Sequence, residues 1–236
     1  MEVIFIDPLM SLKEVRKVYR IGNEKVVALD SISLDIEKGE ICCILGTSGS
    51  GKSTLLNMMA GLEKPTHGSI NIKGKPIERM CENALARFRR NNIGFIFQSY
   101  NLIPTLTAQE NVSLPLVFRG IDRNKRNIRA KVFLKQVGLE KHVRHKPSQM
   151  SGGQQQRVGI ARAFIGNPDI VFADEMTGNL DSKTSEEIMQ LATNITKENN
   201  RTLVVVTHDI SIAKYADRII YIKDGSIEKV ERIGNI

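Results

Sequence analysis

A chain of 236 residues, 41% hydrophobic and 25% charged, has the mix of an ordinary globular protein and length for one large domain or two small lobes. No run approaches the roughly 18 apolar residues of a membrane helix, and the start, Met1 to Pro8, holds acids and no basic stretch, so a signal peptide is not expected. The formal charge of +8, with basic residues crowded at Arg87–Arg90, Arg119–Lys131 and Lys141–Lys146, fits either a solvated face or attraction to nucleotide, anionic lipid or nucleic acid. With 5% aromatic residues and none interleaved in the basic stretches, specific nucleic-acid binding is not expected.

In chain order, residues 9–20 and 26–36 read as strands around a turn at Gly22-Asn23, the second with Val26, Ala28, Ile32, Leu34 and Ile36 at even spacing. Lys38-Gly39 turns into Ile41–Leu45, a short apolar strand. Thr54–Ala60 reads as a helix that Gly61 ends. Pro65 to Gly68 is a turn and Ser69–Ile72 a short strand. Ala84–Arg90 is a short helix, and Ile93–Phe97 a buried strand that ends at the polar Gln98. From about 104 to 165 the pattern is helical. Ala130, Phe133, Leu134 and Val137 share one face closed by Gly138, and Ser151–Ile165 is a further helix. Strands return at Ile170–Ala173 and Thr202–Val206, around a helix whose face is Ile188, Leu191, Ala192 and Ile195. A hairpin follows, turning at Asp224-Gly225 between Ile219–Ile222 and Ser226-Ile227. Apolar strands alternating with helices imply an α/β fold with a mostly parallel sheet covered on both faces. Cys42 and Cys43 are adjacent in a strand, and the three cysteines have no disulfide or metal spacing; they read as reduced core residues in the cytoplasm.

The chemistry centres on Gly46-Thr47-Ser48-Gly49-Ser50-Gly51-Lys52-Ser53, which fits the P-loop pattern G-x-x-x-x-G-K-[ST] between a strand and a helix. Such a turn aims backbone N–H groups and the positive end of the helix dipole at one spot. Its glycines admit a polyphosphate, Lys52 reaches the β- and γ-phosphates, and Ser53 can ligate Mg²⁺. This motif alone leaves kinases, GTPases, motors and transporters open. Asp174 and Glu175 end an apolar strand: Asp174 suits Mg²⁺, directly or through water, and Glu175 can orient or deprotonate a water. Ser151-Gly152-Gly153-Gln154 reads as an N-cap and an uncovered helix start, a second anion site. His208 and Gln98 are polar residues at the ends of buried strands, where doubly wound folds bind ligands.

Together these stretches resemble the ATP-binding subunit of ABC transporters over nearly the whole chain. Ser-Gly-Gly-Gln is the family signature, and the order P-loop, Gln98, signature, Asp174-Glu175, Leu180-Asp181, His208 also agrees. Ile93–Pro104, Glu110-Asn111-Val112 and Thr177–Asp181 are similar to the macrolide-efflux and lipoprotein-release type; antimicrobial-peptide exporters and a cell-division ATPase belong to the same group. The resemblance implies one ABC-type domain over residues 1–236, a P-loop NTPase core at about 1–98 and 166–236 with antiparallel N-terminal strands, and an inserted helical subdomain at about 99–165. It implies ATP hydrolysis with Mg²⁺ held by Ser53, Gln98 and Asp174. The nucleotide lies on Gly46–Ser53 and Thr54, with Tyr19 on the adenine. Glu175 positions water, His208 contacts the γ-phosphate and Gln98 senses Mg²⁺ and water. It also implies a homodimer around two ATP, each capped by Ser151–Gln154 of the other subunit with Asp181 helping to pair them. The chain would work peripherally at the cytoplasmic face of the membrane with a permease subunit, and through it a periplasmic or extracellular adaptor. The alternative within the group is signalling through a membrane partner in cell division. A soluble DNA- or ribosome-directed ABC ATPase fits poorly, because one copy without a coiled coil fills the chain, and a P-loop kinase leaves the signature unexplained. Two positions depart from the family: Met150 replaces Leu, a swap of similar volume, and Met176 replaces the Pro after Glu175, which frees φ and adds an N–H donor beside the catalytic carboxylate.

Overall fold

A computed structural model describes residues 7–233; most of the stretch read as lacking a signal peptide, Met1–Ile6, lies outside them. The chain opens with β1 (Met10–Ile21) and β2 (Glu24–Ile36), paired antiparallel around Gly22, whose φ of 60° glycine holds without strain. β3 (Ile41–Leu45) and α1 (Lys52–Met59) come next. β4 (His67–Ile72) and the two-residue β5 (Lys75–Pro76) then complete a four-stranded sheet of order β2-β1-β4-β5. The even spacing expected across 26–36 holds only for its second half. Ile32, Leu34 and Ile36 are buried, but Val26 is exposed and Leu29 is buried in its place. The pairing of β1 with β2 shifts between Lys17 and Val15, opposite Leu29 and Ile32. The extra residue on β2, with Ser31 at φ 55°, forms a bulge, and a one-residue slip turns every following side chain to the other face.

The rest of the chain runs α2 (Glu82–Asn92), β6 (Ile93–Phe97), α3 (Ala108–Phe118), α4 (Arg123–Gln136), α5 (Gly152–Phe164), β7 (Ile170–Asp174), α6 (Ser182–Glu198), β8 (Thr202–Thr207), β9 (Arg218–Lys223) and β10 (Ser226–Arg232). A second sheet has the order β10-β9-β3-β8-β7-β6. Its pairs from β9 to β6 are parallel, and only the edge strand β10 is antiparallel, turned back at Asp224 and Gly225 with φ of 47° and 76°. The period of two along each strand divides the interior. Ile41, Cys43, Val171, Ala173, Leu203 and Val205 face a cluster with apolar residues of α3, α4, α5 and α6. Cys42, Ile44, Ile170, Phe172, Val204 and Val206 face the other side, among residues of α1, α2 and the antiparallel sheet. The fold is thus the α/β one expected, with antiparallel N-terminal strands and a helical segment set against a parallel sheet. The cysteines divide: burial pushes the Cys42 thiol well up and Cys43 to about 12, but Cys81 is exposed ahead of α2 and is not a core residue. Among the described residues no helix is long and apolar enough to cross a membrane.

The parallel strands all end on one edge. Leu45 pairs with Thr207, Val206 with Asp174, and Asp174 with Phe97, so Gly46, Gln98, Glu175 and His208 each follow a strand end there. The segment after Gln98 is fastened to α3 by Asn111, which is fully buried. Its side chain accepts from the Ile103 N–H at 2.8 Å and donates to the carbonyls of Ile103, Leu106 and Thr107. Asn111→Leu would leave these groups without that partner. It should lower unfolding stability by about 1–3 kcal/mol, read as a reduced guanidinium midpoint; an unchanged midpoint would mean that water or another side chain replaces the amide.

Candidate functional site

The P-loop is built by close approach. A β-carbon at Gly46 would lie 2.3 Å from the Ile222 carbonyl oxygen, and one at Gly51, where φ is 99°, 2.5 Å from that of Ala28, so both positions need glycine. Gly51 also stands at the N-cap of α1 and supplies no capping side chain. Among the described residues the N–H groups of Lys52, Ser53 and Thr54 have no hydrogen-bond partner, and they point outward with the positive end of the helix dipole. Lys52 is buried, and its ammonium donates to the Thr47 carbonyl at 2.7 Å. Burial pushes its pKa down, against the pull of Glu175 and Asp174 nearby.

Asp174 ends β7 with Oδ1 buried and unpartnered. Burial raises its pKa, and so does the Glu175 charge, while the Ser53 hydroxyl and Lys52 act the other way. Glu175 takes a left-handed φ of 43°, a conformation that costs a non-glycine residue about 1–3 kcal/mol. It is held by its N–H to the Val206 carbonyl and by the Gly178 N–H to its own carbonyl, both 2.9 Å. Its Oε1 lies 2.8 Å from His208 Nδ1. The next residue, Met176, packs into the core, and its carbonyl accepts from the fully buried Gln156 amide at 2.6 Å. The N–H that a proline would lack makes no hydrogen bond among the described residues. Gln98 lies against the same loop: Asn179 donates to its carbonyl at 3.2 Å, and a β-carbon at Gly178 would sit 2.7 Å from its Nε2.

Lys52, Asp174, Glu175 and His208 are therefore brought together, with Ser53 and Gln98 at their margin. Tyr19 stands to one side, its hydroxyl donating to Glu63 at 2.6 Å and Lys17 Nζ 5.1 Å from its ring centre. Burial raises its pKa, and so does the Glu63 hydrogen bond; the Thr54 hydroxyl is within reach and opposes them. The signature is a separate construction. Ser151 caps α5, its Oγ accepting from the Gln154 N–H at 3.3 Å while Gln154 Oε1 accepts from the Ser151 N–H at 3.0 Å. The Gly152 and Gly153 N–H groups have no partner, and no hydrogen bond joins residues 151–154 to the P-loop, among the described residues. A side chain at Gly152 would meet the Tyr100 hydroxyl. Asp181 lies on the exposed surface as the N-cap of α6, accepting from the Thr184 N–H and hydroxyl, which hold its carboxyl below the usual range. Sequence patterns did not single out Gln156, Glu63 or Arg162. The last, on α5, grips the carbonyls of Tyr100 and Asn101 just after Gln98. Their only sequence signal was a polar residue within an otherwise assigned stretch.

Among known proteins, the ABC transporter family matches residues 29–178. The chain is 49% identical over 229 residues to an uncharacterized ABC transporter ATP-binding protein of Methanocaldococcus jannaschii, MJ0796, covering 95% of this chain and 97% of that one. It is 45% identical over 220 residues to the macrolide export ATP-binding/permease protein MacB of Escherichia coli K12, covering 93% of this chain and 34% of MacB, so it spans about a third of that protein. A dimeric structure of a post-hydrolysis state of the MJ0796 ATP-binding cassette bound to ADP and Pi superposes with a TM-score of 0.88 at 48% identity, covering 96% of this chain and 100% of that one.

Two substitutions test the site. Lys52→Ala removes a charge-assisted contact worth about 1.5–3 kcal/mol, so MgATP affinity by calorimetry should fall by roughly tenfold to more than a hundredfold; unchanged affinity would remove the P-loop from nucleotide binding. Met176→Pro breaks no backbone hydrogen bond and leaves the Gln156 contact to the carbonyl in place. Its steady-state ATPase rate should therefore stay within about twofold of the parent, a barrier change of roughly 0.4 kcal/mol. A clear rise would mean that the missing proline loosens Glu175.

Proposed function

The chain belongs to the ABC transporter family and is an ATP-binding, ATP-hydrolysing cassette of it, and from that premise we propose that it drives efflux through a membrane permease lying outside these 236 residues. The cargo classes are a macrolide-like drug, an antimicrobial peptide or a lipoprotein, with the likeness to MacB favouring the first. The observation that supports a nucleotide site shared between two copies is the presence, among the described residues, of two sets of unpartnered helix-start N–H groups, on α1 and α5, with no hydrogen bond between their loops. A phosphate seated on the first set would be capped by the second set of another copy.

On this reading the phosphates lie on the N–H groups from Gly46 to Thr54 with Lys52 beside them, and Tyr19, its edge fixed by Glu63, supports the adenine. The orphaned Asp174 Oδ1, with Ser53 and Gln98 alongside, suits a magnesium ion. Mg²⁺ would neutralise charge on the phosphate oxygens. Glu175 orients the attacking water and takes its proton, while His208, bonded to Glu175, faces the γ-phosphate. The Ser151–Gln154 end of a second copy closes over that phosphate and Asp181 supports the pairing. The dimeric state of the similar MJ0796 cassette supports such an arrangement. Residues 99–165, reached from Gln98, form the subdomain that meets the permease. On the same reading the chain works peripherally at the cytoplasmic face of the membrane, with any periplasmic or extracellular adaptor reached through the permease.

Glu175→Gln keeps the shape of the site and removes the base, so ATP should persist at the interface. In analytical ultracentrifugation this variant should be a dimer with MgATP and a monomer with MgADP. Adding Ser151→Arg, which puts a long side chain into the phosphate cap, should return it to monomer. A Glu175→Gln protein that stays monomeric at saturating MgATP would overturn the shared site.

A further inference from the structure

Behind the signature, two of the four histidines lie together: His142 and His145, on the loop between α4 and α5, have ring centres 4.9 Å apart and planes tilted by 48°. His142 Nε2 is 3.2 Å from Gln154 Nε2. Its Nδ1 is buried with no partner, so the contact with Gln154 is the one polar contact of this ring among the described residues. Two nitrogens at that distance attract only when one donates and the other accepts.

The protons follow from the capping of α5. Gln154 Oε1 accepts from the Ser151 N–H at 3.0 Å, so the Gln154 amide nitrogen, with its two hydrogens, faces the imidazole. His142 Nε2 must then be bare, with the ring proton on Nδ1. Turning the Gln154 amide round would set its NH₂ against the Ser151 N–H. Protonating Nε2 would set N–H against N–H at the ring. One arrangement alone puts a donor against an acceptor at both ends of the Gln154 side chain. The same amide keeps the Ser151 N–H occupied, while the Gln154 N–H holds Ser151 Oγ at 3.3 Å. The orientation of the capping serine, and the outward aim of the Gly152 and Gly153 N–H groups, therefore depend on how Gln154 is held.

We infer that His142 is a positioning residue for the signature: by accepting a hydrogen bond from the Gln154 amide it fixes the capping box that presents the start of α5 to the nucleotide of a second copy. This rests on the shared-site reading above. His142 reaches neither nucleotide nor water in that scheme and acts through Gln154.

Two measurements test it. In ¹⁵N–¹H correlation spectra of the imidazole nitrogens of the nucleotide-free protein, His142 should carry its proton on Nδ1, the form that a free histidine side chain disfavours. Gln154→Leu should release it to the Nε2–H form. An Nε2–H ring in the parent, or a ring indifferent to Gln154→Leu, would overturn the contact. In the Glu175→Gln background, His142→Leu and His142→Lys should weaken MgATP-driven dimerisation by about tenfold or more, since each of two sites loses a hydrogen bond. His142→Gln, whose amide oxygen can stand near the position of Nε2, should restore it to within about twofold, and MgADP affinity should be unchanged in all three. Dimerisation of the Leu variant at the parent level, or failure of the Gln variant to recover, would overturn the positioning role. A Glu175→Gln parent that does not dimerise would count against the shared site instead, and the tautomer spectra would still decide the His142 contact.

Discussion

Among the described residues the N–H groups at the start of α1 have no partner, and a bundle of aligned donors at the edge of a core is stable only beside water or an anion. Much of the architecture serves to keep them so. β3 delivers the loop from the middle of the parallel sheet, between β8 and β9. The turn of the β9–β10 hairpin grips it from the side: the Gly225 N–H donates to the Ser50 carbonyl at 3.0 Å, and the Gly225 carbonyl accepts from the Asp30 N–H at 2.8 Å. Both sheets therefore meet at the P-loop, and neither can shift without moving it. No side chain caps Gly51, a vacancy an N-cap serine or aspartate would ordinarily fill at a gain of about 1 kcal/mol.

A second constraint follows one strand away. Glu175 sits in a left-handed conformation just past the end of β7, with its carboxylate bonded to His208. That strain is offset locally by the hydrogen bonds to Val206 and from Gly178, and by the clamp of Gln156 on the neighbouring carbonyl. The departure from proline at 176 is answered here. Proline would restrict φ from within the chain, whereas Gln156 and the burial of the Met176 side chain restrain the same residue from outside.

What could be read in the sequence was what is local. The P-loop, the apolar strands followed by Gln98, Asp174-Glu175 and His208, and the capping of α5 each depend on residues a few positions apart, so spacing exposes them. The bulge at Ser31 was hidden because alternation in a strand does not announce an inserted residue, and Val26 and Ala28 continued the even count by chance. Residue type alone reads Cys81 as a core residue, although its place ahead of α2 leaves it in solvent. Gln156, Arg162 and His142 were out of reach for a different reason. Each gains its meaning from a partner 12 to 62 positions away, and a polar side chain in a helix or loop looks the same from sequence whether it meets water or a buried carbonyl. The paired subunits, too, were expected from the resemblance, whereas the chain's own geometry contributes the two separate sets of free N–H groups.

Those long-range contacts share one element. α5 carries the signature at its first turn and Gln156, bonded beside Glu175, at its second. Arg162 near its far end holds the Tyr100 and Asn101 carbonyls of the segment that follows Gln98. Tyr100 and Asn101 both have left-handed φ, 59° and 47°, so that segment is a compact, strained turn with little slack. A helix of 13 residues is about 20 Å long at 1.5 Å per residue and bends little over that length. The Glu175 loop, the Gln98 segment and Ser151–Gln154 are therefore all fastened to one short, straight helix. Under the proposed mechanism this has a direction. The residues that respond to the γ-phosphate bound by one copy are tied to the surface that the same copy offers to its partner's nucleotide, so each active site would report its state at the other one.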